Sequence, residues 1–270
     1  MSFNGLAKRH PISVYFALAF AISWALAFLV VSQNLLQGRS VPYLDGVLMF
    51  PAMLVGPSAA GILMTRTVDG SGGLRELLSR MRKWRLGKWY FPAVLIPPVS
   101  ILVTLLALTV LVSPAFVPHI FVFGFGFGVV AGYLEEIGWT GYAIRKLRMK
   151  YGALASAVIL GGLWGLWHAP VVDFLGAAYP HGDYWLPFFM SFIAVQTAIR
   201  VLIVWLYSNT GSVLIAQVTH ASSTGFLATL APLAVTPAQE TGWYALYAAI
   251  LWPVVIVYVS RRIALDARVS

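Results

Sequence analysis

Apolar residues fall along this chain in long unbroken blocks. They do not alternate as in a half-buried strand, nor do they line one face as in a soluble helix. Eight blocks stand out, at about 12–32, 46–65, 90–112, 119–144, 152–171, 185–207, 212–231 and 241–260. About 20 apolar residues cross the hydrocarbon core of a bilayer as a helix. Helices and closed barrels alone satisfy their own backbone polar groups there, and blocks of this length predict helices. The expected fold is therefore all-α, a polytopic transmembrane helical bundle of about eight spans, forming one membrane-embedded domain over 1–270. Pro92, Pro97 and Pro98 weaken the third block as a helix.

The polar positions refine this picture. Between the second and third blocks, Leu74, Leu77, Leu78 and Met81 recur at helical spacing among six cations, from Leu74 to Tyr90. That pattern predicts an amphipathic helix lying on the inner leaflet. Of the 18 Lys and Arg residues, Arg200 lies within a block and Arg39 is alone in one set of alternate loops. The other sixteen share the opposite set, so the positive-inside rule puts both termini in the cytoplasm.

Composition agrees with this class. The chain is 60% hydrophobic and 10% charged, with a mean hydropathy of +0.82. The net charge of +9 sits at span ends, as orientation signals do, and argues for membrane lipids as partners rather than nucleic acid. With no cysteine, disulfides, thiolate nucleophiles and Cys-ligated metals are excluded. The first block lacks a small-residue cleavage site and reads as a retained span, which makes the chain an integral multi-pass protein, of the cytoplasmic membrane in a prokaryote.

Against this background, a few polar groups inside the blocks are costly. Glu135 and Glu136 are adjacent in the fourth block, and a carboxylate at that depth costs roughly 2.5–3.5 kcal/mol on insertion scales. Two so close are expected to titrate as one coupled unit. His168 lies in the fifth block and His220 in the seventh. Two histidines and a carboxylate pair are a general-base set and also a zinc-ligand set. There is no HExxH, so they would have to converge from separate helices. Gly124, Gly128 and Gly132, and Gly161 and Gly165, form smooth ridges that permit such close packing. Arg200, near the end of its block, reads most simply as snorkelling toward the headgroups.

Three segments carry a resemblance. They are Glu135-Glu136-Ile137-Gly138-Trp139-Thr140-Gly141-Tyr142, Leu163-Trp164-Gly165-Leu166-Trp167-His168-Ala169-Pro170, and Asn209-Thr210-Gly211-Ser212 leading to His220-Ala221-Ser222. With Gly56-Pro57-Ser58-Ala59-Ala60 in the second block, they resemble the signatures of the CPBP intramembrane proteases, which include the CAAX prenyl endopeptidases and bacterial Abi-type proteins. The motif core spans about 118–232. The resemblance implies an intramembrane peptide hydrolase, metal dependence with zinc, and a peptide or membrane-protein substrate. It implies Glu135 as general base, Glu136 as its partner, His168 and His220 as ligands of the water or, together with Glu135, of the metal, and Thr224 near the oxyanion. Two positions depart from the family pattern. Thr140 stands where the family has Arg, and Thr224 where it has Asn. A non-catalytic immunity or regulatory homologue is the alternative these departures favour, and an ion- or proton-coupled transporter is a third reading. If the glutamates need a cation, Arg200 is a better candidate than Arg145, which lies about 15 Å of helical rise beyond Glu135.

Overall fold

The computed structural model describes residues 2–174 and 181–266. Arg268, one of the sixteen cations, lies outside them. A short helix α1 (Phe3–Arg9) leads into the first span, α2 (Pro11–Leu36). The second span is built from α3 (Tyr43–Met53) and α4 (Val55–Met64), followed by a π turn at Thr65–Asp69 and the amphipathic helix α5 (Gly70–Met81). Then come α6 (Tyr90–Leu111), α7 (Val122–Gly138), a π turn at Trp139–Ala143, α8 (Ile144–Tyr151) and α9 (Ala153–Trp167). The chain closes with α10 (Trp185–Thr210), α11 (Val213–Leu230) and α12 (Pro237–Asp266). Among the described residues, seven helical segments are long and apolar enough to cross a membrane. The 17-residue α7, prolonged by its π turn, makes the eighth span. The outward face is apolar, with Val110, Leu111 and Phe123 each 80% exposed, as lipid-facing positions are.

Proline does not break the third span. Pro98 has no N–H to give the Val94 carbonyl, and Ser222 of α11 donates to that carbonyl instead, at 3.0 Å. A neighbouring helix thus satisfies the freed group, and α6 runs on through Pro97 and Pro98.

The glycine ridges set the core. That of α7 meets α11, and that of α9 meets α10. A Cβ on Gly128 would lie 2.3 Å from the Gly225 Cα, backbone against backbone. Gly128→Ala should therefore force α7 and α11 apart and destabilise the bundle by about 3 kcal/mol, the upper end for overpacking. A thermal unfolding midpoint in detergent equal to wild type would refute this close approach. Around the glutamates the helices are also tied by hydrogen bonds. Ser58 of α4 donates to the Leu134 carbonyl, and Gln217 of α11 donates to the Tyr133 carbonyl at 2.9 Å.

Candidate active site

Glu135 and Glu136 close α7 just before its π turn, a geometry that recurs at functional sites. Successive helical residues point about 100° apart, so the two carboxylates meet different neighbours. Both are buried.

Glu136 faces α10 and α11. Its Oε2 accepts from Arg200 Nη1 at 2.9 Å and from the Thr140 hydroxyl one turn later. Its Oε1 lies 2.8 Å from His220 Nδ1. A carboxylate paired with a guanidinium accepts, so Nδ1 carries the proton and His220 presents a bare Nε2 on its other side. Arg200 is fully buried, with its guanidinium carbon 4.3 Å from the centre of the Trp164 ring. The snorkelling expectation is therefore corrected. The arginine points into the bundle because a buried carboxylate and an indole face await it. Arg145, by contrast, pairs with Glu76 at 3.1 Å on the surface.

Glu135 faces α9. Its Oε2 accepts from two indoles, Trp139 Nε1 at 3.0 Å and Trp164 Nε1 at 2.8 Å. Its Oε1 is 3.9 Å from His220 Nε2. His168 Nδ1 lies 2.8 Å from the Trp164 carbonyl, which can only accept, so His168 Nε2 is also bare. Trp164 thus touches four of the site's residues. It donates to Glu135, stacks on Arg200, packs edge-to-face on His220 with the ring centres 4.8 Å apart, and fixes His168 through its carbonyl. Tyr15 and Phe16 of α2 pack on Trp139, and Trp24 donates to the Trp167 carbonyl at 3.0 Å, so the first span braces these indoles.

Glu135, His168, His220 and Thr224 line one cavity of 530 Å³, whereas Glu136 sits behind it. Thr224 is one turn beyond His220, on the same helix face. The remaining wall is largely apolar, with Phe50, Phe127, Phe188 and Phe192. Most of the lining comes from the cation-poor ends of the spans. It is built from α3, from α7 between its start and Glu135, from the first halves of α10 and α12, from the end of α9 and from α11 from His220 onward. The cavity therefore runs from the glutamates away from the loops that carry the cations.

The donors suit zinc in kind. Each histidine offers Nε2 while Nδ1 is held by a hydrogen bond, the usual outer-shell support of a ligand. Their spacing does not suit it. Among the described residues, no group of three or more His, Cys, Asp or Glu side chains is gathered so that it could hold a metal ion. The Glu135–His168–His220 ligand set expected from the sequence is thus present in one cavity without converging on one point.

Trp139 and Trp164 stand in the motif segments, but the sequence assigns them no role. A signal was available for both. Trp139 lies four residues after Glu135, and Trp164 four before His168, so each is on the same helix face as a polar group that needs a partner.

Residues 117–226 match the family described as type II CAAX prenyl endopeptidase Rce1-like. A curated protein named CAAX prenyl protease 2, from Methanococcus maripaludis, is 30% identical over 115 residues, covering 40% of this chain. The match spans 39% of that relative's own length.

Proposed function

We propose, from the match of residues 117–226 to the CAAX prenyl endopeptidase family, that this chain is an intramembrane peptidase in which Glu135 activates a water. The observation that carries the reading is the pairing of Glu135 Oε1 with the bare Nε2 of His220, 3.9 Å apart on the wall of one cavity. The other atoms of the two side chains are already committed. A water entering from the cavity can donate one proton to each acceptor at once. The water oxygen attacks the peptide carbonyl while its proton passes to Glu135. Charge then develops on the carbonyl oxygen, where the Thr224 hydroxyl supplies a donor. Glu135 returns the proton to the departing amine nitrogen, the C–N bond breaks, and carboxyl and amine products leave.

His168 holds the substrate side of the cavity as a second acceptor. Glu136 fixes the His220 ring and its tautomer. With Arg200 standing against Glu136, Thr140 no longer argues for a non-catalytic scaffold. Zinc, if bound, would be held by Glu135, His168 and His220 and would supply a more acidic water. Those side chains would first have to converge. Activity lost to a chelator and restored by zinc would support the ion, and full activity of metal-free protein would discard it.

The direction of the cavity supports apolar peptide segments as the substrate class. With both termini cytoplasmic, peptide segments reach the glutamates from the non-cytoplasmic side or from the bilayer. Sealed membrane vesicles of each orientation test this. Externally added apolar peptides should be cut by right-side-out vesicles and spared by inside-out ones. Cleavage by inside-out vesicles alone would overturn the assignment, as would an external reporter signal from a fusion at Ser270.

A further inference from the structure

A second cavity lies at the opposite, cation-bearing end of the bundle. Its volume is 780 Å³, and it opens between α5 and the turn that joins α10 to α11. Arg75, Ser79, Arg80, Arg82, Lys83 and Gly211 line it, with no acid among the lining residues. Four cations around one recess make a strongly positive concavity that favours an anion.

Two of the four are held in place rather than free to sweep the surface. Arg80, with its side chain 12% exposed, donates Nη1 to the Tyr207 hydroxyl at 2.8 Å and Nη2 to the Gly141 carbonyl at 3.0 Å. Lys83 donates to the Thr210 carbonyl at 2.6 Å. Gly211 makes the tight turn beside it with φ of 63°, a conformation that a glycine adopts without strain, and the absent side chain leaves the recess open. The buried Arg80 Nε has no hydrogen-bond partner, and the nearest carboxylate oxygen, Glu76 Oε1, stands 3.7 Å away. Glu76 is itself shared with Arg145. A buried guanidinium N–H without an acceptor is a costly group and points to a missing one.

Apolar surface adjoins the recess. Leu78 on its wall is 47% exposed, and Trp84, just past α5, is 61% exposed with Arg85 stacked on its ring. Cations beside exposed Trp and Leu at the end of membrane spans match the interface, where headgroup phosphate meets acyl chain. We propose that this recess binds the phosphate of an anionic phospholipid, with Arg75, Arg80, Arg82 and Lys83 around the headgroup. Neither the family nor the hydrolytic site requires it, and its test does not depend on hydrolysis.

The test is calorimetric titration of the full chain in a neutral detergent with dihexanoyl phosphatidylglycerol. Dihexanoyl phosphatidylcholine and inorganic phosphate are the comparison probes. Saturable binding of phosphatidylglycerol, much weaker binding of the other two, and a roughly 25-fold loss in Arg75→Gln/Arg82→Gln are expected, at about fivefold per cation. Neither side chain makes a described hydrogen bond or ion pair, so the fold should tolerate the change. Arg148→Gln/Lys150→Gln removes the same charge from α8, outside the recess, and should leave affinity unchanged. Equal losses in the two double variants, no loss in the first, or no saturable binding would overturn the proposal. Inorganic phosphate binding as tightly as the lipid would replace the lipid with a free anion and overturn it too.

Discussion

Arg200→Ala is expected to unfold the site and to cost about 3–5 kcal/mol of stability. That is the usual penalty when one partner of a buried ion pair is removed and the other charge stays behind. The charge left behind is Glu136, buried and held, among the described residues, by Thr140 and His220 alone. Loss of Arg200 also removes the cation lying on Trp164, the indole that donates to Glu135. Activity should fall with stability, and Arg145→Ala, on the surface, should leave both unchanged. A compensating variant separates positioning from packing. Thr140→Arg should restore a cation to Glu136 in the Arg200→Ala background, because residue 140 already reaches that carboxylate from one turn along the helix. In the wild-type background the same change is expected to be harmful. From the sequence alone Thr140→Arg looks tolerable or beneficial. Thr140 is fully buried, however, and a second guanidinium there would crowd a site that already holds Arg200. A silent Arg200→Ala, in melting temperature and in cleavage, would remove the arginine from the account.

Glu135→Gln should lower the rate of hydrolysis by about 10²–10⁴-fold, the range for a positioned general base, with little change in melting temperature. The amide keeps an oxygen for the two indoles, so packing survives while the proton acceptor is lost. Glu136→Gln addresses a different function. It leaves Arg200 without a counter-charge and frees His220 to turn, so it should resemble Arg200→Ala in stability.

Much of this was legible in the residues. Long apolar blocks and charges gathered at alternate span ends fixed the helical bundle, since a bilayer leaves few other solutions. Glu135, Glu136, His168 and His220 stood out because each is costly inside a span. What stayed hidden was direction. A sequence does not say which face of a helix meets which neighbour, so Arg200 read as a snorkelling cation until α10 was seen packed on α9 with Trp164 between. The same ignorance hid the hub role of Trp164, whose apolar body makes it look like ordinary core. The proline-rich third span misled in the opposite way. The repair of Val94 comes from Ser222, far along the chain, and no local pattern reveals it.

The measurement that bears most directly on the central claim is mass-spectrometric detection of peptide cleavage by the purified chain in bilayers, with wild type and Glu135→Gln compared on one mixture of apolar peptides. The account predicts new carboxyl and amine termini with wild type, and none above background with a folded Glu135→Gln. Cleavage by Glu135→Gln at the wild-type rate would contradict it.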